Sequence, residues 1–183
     1  LGYFLYCYGM MALGTAYNEF FLLYVGLLAL SIPAFCLALA SVDLEALAGL
    51  AEGRYPRRAV ATLCLLVGGF LGLNWLGGIV LPSLLSGQAP KGLDSYSTLF
   101  VQAMDLGILV PSAFLSAWWL LRRDPRGYLL GTVLVVKGAA EGLAVAAMGL
   151  SMLREGIAES LGLVLGFLAL ALGALGLGIL VMA

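Results

Sequence analysis

The chain has 183 residues, 63% of them hydrophobic and 10% charged, with a mean hydropathy of +1.09, against roughly 45–50% apolar and ~25% charged in a soluble domain. That balance predicts a membrane protein. Nine Lys and Arg against ten Asp and Glu leave a net charge of −1, and there is no histidine. The first excludes a basic nucleic-acid-binding face; the second removes the commonest zinc ligand, the usual haem ligand and the Ser-His and Cys-His catalytic pairs.

Crossing a hydrocarbon core of ~30 Å takes ~20 apolar residues of helix. In chain order the runs 1–17, 20–40, 59–82, 98–121, 127–150 and 157–182 qualify. They predict an all-α polytopic bundle of about six spans forming one transmembrane domain, 1–183. The first run is slightly short. Headed by Leu rather than Met, with no charged region before it, it reads as the remainder of an N-terminally incomplete chain. Gly14, Thr15, Asn18 and Glu19 supply a tight turn into the second span. Residues 43–51 predict a short surface helix, with Leu44, Leu47 and Leu50 on one face. Pro33 and Pro111 interrupt spans and free the carbonyls of Ala29 and Gly107, so kinks are expected there. The loop Ser83–Ser97, with Pro82, Gly87, Pro90 and Gly92, is the longest irregular piece and the candidate binding lip. Cys7, Cys36 and Cys64 all fall within spans and are expected to form neither a disulfide nor a metal site.

Orientation follows from the cations. Arg54, Arg57 and Arg58 lie in loop 41–58 and Arg122, Arg123 and Arg126 in loop 122–126, on one side; Lys91 and Arg154 lie on the other. The positive-inside rule makes the Arg-rich side cytoplasmic and the protein a multi-pass protein of the cell membrane. Small residues let lipid-immersed helices approach closely. Gly162, Gly166, Ala169, Gly173 and Gly176 form a heptad-like stripe on the last span, Gly131, Gly138, Gly142, Ala146 and Gly149 a second on the fifth, and Gly68 with Gly72 a GxxxG on the third. The fifth and last spans are expected to pack together, with a homo-oligomer or membrane partner as the alternative use of these seams. Tyr17, Tyr24, Tyr96, Trp118, Trp119 and Tyr128 read as an interfacial aromatic belt. Leu1-Gly2-x-x-Leu5-x-x-x-Gly9 echoes Leu130-Gly131-x-x-Leu134-x-x-x-Gly138, the kind of internal repeat found in transporters.

Leu5-Tyr6-Cys7-Tyr8, Tyr17-Asn18, Phe21-Leu22-Leu23-Tyr24-Val25, Asp105-Leu106-Gly107 and Val136-Lys137-Gly138 resemble a group of uncharacterised prokaryotic multi-pass membrane proteins, over about half of the chain. The resemblance implies further spans upstream and no activity.

Polar groups inside the spans carry the functional argument. Asp105, Lys137, Glu141, Asn74 and Gln102 fall at neighbouring predicted depths on three spans. A charge at mid-bilayer costs ~2.5–3.5 kcal/mol even on the insertion scale, so such groups face the bundle interior and find partners. Lys137 is expected to pair with Asp105 or with Glu141, its i, i+4 neighbour. The favoured reading is a transporter or channel-like protein passing a proton, ion or small polar solute through this layer. The alternative is a non-catalytic assembly or accessory subunit. An intramembrane enzyme acting on a lipid, with Asp105 or Glu141 as acid or base, is least favoured, because no GxSxG, HExxH, P-loop or zinc-ligand spacing is present. No catalytic residue, metal or cofactor is expected; a Lys137 Schiff base to a carbonyl chromophore is the one cofactor chemistry the layer would suit.

Overall fold

Peptide groups in hydrocarbon must close their hydrogen bonds within the segment. The computed structural model describes residues 1–90, 93, 96–156 and 161–182, and these contain helices and no strand. The helices are α1 (Gly2–Gly14), α2 (Phe21–Ala40), α3 (Leu44–Ala51), α4 (Arg57–Trp75), α5 (Leu81–Ser86), α6 (Phe100–Met104), α7 (Val110–Leu121), α8 (Pro125–Arg154) and α9 (Leu161–Met182). Two π-helical turns, π1 (Leu76–Val80) and π2 (Asp105–Leu109), join α4 to α5 and α6 to α7.

Among the described residues five helices, rather than six, are long and apolar enough to cross a membrane: Phe21–Ala40, Arg57–Ser86, Phe100–Leu121, Pro125–Arg154 and Val164–Val181. The 13 residues of α1 rise only ~20 Å at 1.5 Å per residue, short of a ~30 Å core. Helix also extends through Ser86, so the expected irregular loop begins later. Residues 91, 92, 94 and 95 of that loop, and 157–160 at the head of the last expected span, lie outside the described residues.

The chain divides into two compact units, Leu1–Asp43 with Leu65–Leu115, and Leu44–Cys64 with Ser116–Ala183. In the first, α1 packs on α2 and on α6. The connecting turn is built by Asn18, whose Oδ1 accepts the Phe20 N–H at 2.9 Å, as the sequence predicts. Tyr6, Gly9 and Ala12 form the buried face of α1. A Cβ on Gly14 would run into the Phe100 ring and one on Gly9 would sit 3.6 Å from Met104 Cε, so glycine sets how closely α1 approaches α6. The GxxxG of α4 works in the same way, with Gly68 facing Ala113 and Phe114 and Gly72 facing Val110.

In the second unit α8 and α9 form the most extensive helix pair, the pairing expected of the fifth and last spans. On α8 the seam is the expected one: a Cβ on Gly142 would lie 2.7 Å from Ala171 Cβ and one on Gly149 2.6 Å from Val164 Cγ2. On α9 it is not. Gly162, Gly166, Ala169, Gly173 and Gly176 are exposed, and the buried face is Val164, Ala171, Ala174 and Gly178. Alanine supplies the close approach, because the glycines opposite have already removed the bulk that a second glycine row would clear. Gly131 turns elsewhere, against Tyr55, Leu120 and Val60. Helix α3 packs on α8, with Ala51 buried and Leu44 and Leu47 half-buried, while Leu50 is 73% exposed rather than sharing their face. Tyr128 is no belt residue: it is buried, edge-on to Tyr55.

The start of α8 is fixed by Asp124, which accepts the Arg126 N–H at 3.0 Å, with Pro125 in the first turn. The guanidinium of Arg126 beside it holds the Asp124 carboxyl below its ordinary range. α7 ends in paired backbone bonds, Asp124 N–H to the Trp119 carbonyl and Arg123 N–H to that of Leu120, the 6→1 and 5→2 pattern that usually requires glycine at the left-handed position. Here that position is Arg123, at φ 60°.

Candidate functional site

Asp105 begins π2 and is 6% exposed. Its two carboxylate oxygens are each claimed by an aromatic donor: the Tyr6 hydroxyl donates to Oδ1 and the Trp75 indole N–H donates to Oδ2 at 2.9 Å. All three side chains belong to the first unit. Both donors are electrically neutral, so the carboxyl is oriented and solvated without a countercharge from either.

The backbone here departs from regular helix twice, in the same manner. Trp75 stands immediately before π1 and Asp105 is the first residue of π2. At the end of π1 the Leu81 N–H bonds back to the Leu76 carbonyl, and at the end of π2 the Val110 N–H bonds back to that of Asp105. Pro82 and Pro111 come next and have no N–H. The Gly77 and Leu106 carbonyls therefore lose both helical donors: the i+4 group is committed one residue back, and the i+5 residue is proline. Where a kink at Pro111 is expected, the backbone just before the proline is a widened turn. The cause is a short repeat that sequence reasoning overlooked: Gly78-Ile79-Val80-Leu81-Pro82-Ser83 and Gly107-Ile108-Leu109-Val110-Pro111-Ser112. π-Helical turns of this kind occur frequently at functional sites.

The other expected site residues divide between the units. Asn74 is exposed and Gln102 half-buried, and neither joins the hydrogen bonds to Asp105. In the second unit Lys137 is 7% exposed and its Nζ donates to Glu141 Oε2 at 3.2 Å along one face of α8, one of the two pairings expected. Sequence reasoning missed Tyr6 and Trp75. The signal available for Trp75 was its place three residues before Gly78 of the first copy, the position Met104 holds before Gly107 of the second.

Among the described residues no group of three His, Cys, Asp or Glu is placed to hold a metal ion. What the arrangement offers chemically is one oriented carboxyl, an oxygen ligand suited to a proton or a hard cation. No protein-family model, no curated protein and no solved structure matches the chain.

Proposed function

We propose that this is an integral membrane protein that passes a proton, an ion or a small polar solute, and that Asp105 is the group that exchanges it. The observation that carries the reading is a buried carboxyl at the start of a π-helical turn whose two hydrogen-bond donors among the described residues are both neutral. A carboxyl kept in hydrocarbon solely for packing is a costly choice, since an apolar side chain of similar size would serve better. Tyr6 and Trp75 act as positioning residues that hold the carboxyl until it is loaded. Lys137 and Glu141 enter as a second intramembrane polar pair. The Arg-rich loops face the cytoplasm in this reading.

The test is flux in proteoliposomes under proton and alkali-cation gradients. Asp105→Asn, which keeps the shape and loses the exchangeable acid, abolishes flux, whereas Asn74→Ala leaves it unchanged. Undiminished flux in Asp105→Asn removes the proposal. A second reading, an accessory membrane subunit, is favoured by the exposed glycine stripe of α9; co-purification of a stoichiometric partner at native expression, with no flux from the lone chain, would select it.

A further inference from the structure

A cleft of about 440 Å³ opens in the second unit beside the Arg-rich loops, lined among others by Glu52, Gly53, Tyr55, Arg57, Arg123 and Tyr128. Asp105 is not among its lining residues, and the cleft plays no part in the reading above. Two tyrosines are among its lining residues, and its charges are two guanidiniums against one carboxylate.

The six loop arginines are not equivalent. Arg122 stacks over Trp118 and Arg126 over Trp119, each 4.6 Å from the ring centroid, and Arg126 is also paired with Asp124 at 2.6 Å. Arg57 is half-buried and spends one contact on the Leu120 carbonyl, at 3.4 Å from Nη1, which leaves most of its five N–H donors for the cleft. Arg123 is exposed and, among the described residues, forms no ion pair. It also occupies the left-handed position, φ 60°, that closes α7, where glycine would be unstrained. A strained backbone retained to present a cation over a cleft is a reason to look for its anion. The first turn of α4, starting at Arg57, adds positive potential of its own.

We infer that this cleft binds a phosphate group, with Arg57 and Arg123 as a two-sided guanidinium clamp. Guanidinium matches phosphate through paired N–H donors, and Tyr55 and Tyr128 line the same cleft. Glu52 opposes the charge and sets a limit on affinity. The group can come from an anionic phospholipid headgroup, which basic loops at a membrane surface attract, or from free phosphate.

The experiment measures binding to the full chain in detergent with three probes: phosphatidylglycerol, phosphatidylcholine and inorganic phosphate, read by native mass spectrometry and by thermal shift. Phosphatidylglycerol binds in preference to phosphatidylcholine. Arg123→Gly, which removes the cation and suits the backbone, weakens it about 10-fold with no loss of basal melting temperature, and Arg123→Gln does the same. Glu52→Gln tightens it. Stabilisation by inorganic phosphate alone, lost in Arg123→Gly, identifies the free anion as the source. Equal binding of both lipids with no phosphate effect, or full binding by Arg123→Gly, overturns the inference.

Discussion

Asp105 is buried in the first unit and accepts two hydrogen bonds from neutral donors. Trp75→Phe keeps the aromatic bulk and removes the donor to Oδ2; leaving one buried acceptor without its partner costs ~1–3 kcal/mol. Its effect is expected as a lowered melting temperature together with altered rather than absent flux, whereas an unchanged protein would make the indole bond incidental. Tyr55 gives a pH test. Burial pushes its phenol up to about 12, the Thr132 hydrogen bond opposing. Since the folded value lies above the ordinary ~10, its contribution to stability is complete below pH ~10 and is lost as pH rises through about 12. Alkaline melting curves of wild type and Tyr55→Phe check this, the variant showing the smaller fall across that window. At this scale the sequence announces Asp105, Lys137 and Glu141, because charges in apolar runs are conspicuous. Tyr6 and Trp75 stay hidden, since an aromatic residue near a polar layer looks the same whether it anchors at an interface or donates a hydrogen bond.

Helices were legible wherever an apolar run reached membrane length, because hydrocarbon leaves the backbone no other choice. The short α3 was legible too, though its inward face is completed by Ala51 and not by Leu50. Which stripe of a uniformly apolar helix faces its neighbour was not legible. On α9, glycine and alanine stripes are both available, and only the partner surface of α8 decides between them. Substitutions separate the two. Gly142→Leu places its side chain against Ala171 and is expected to destabilise by at least ~1–3 kcal/mol through overpacking. Gly166→Leu, where a Cβ meets open space, leaves the detergent melting temperature of the lone chain unchanged. Equal effects from the two would put the helix interface on the glycine stripe after all. The π-helical turns were half legible: Pro111 marked a disturbed backbone, but widening rather than bending shows only once the Leu81 and Val110 bonds are seen to reach back five residues.

For the whole chain, membrane character follows from composition and from the five helices of sufficient length among the described residues. Sidedness rests on where the arginines lie, which labelling can test. With the native cysteines replaced, Gln88→Cys is expected to react with an impermeant thiol reagent in intact cells and Glu52→Cys only after permeabilisation; the reverse pattern would invert the topology. The central claim is that Asp105 exchanges its proton or a cation within the membrane. Its most direct test is reaction with dicyclohexylcarbodiimide, which is lipid-soluble and captures intramembrane carboxyls in their protonated form, followed by peptide mass mapping. The account predicts an adduct on the peptide carrying Asp105, suppressed by alkaline pH or by the transported cation and absent from Asp105→Asn. An Asp105 that never reacts, or an adduct confined to Glu141, would contradict it.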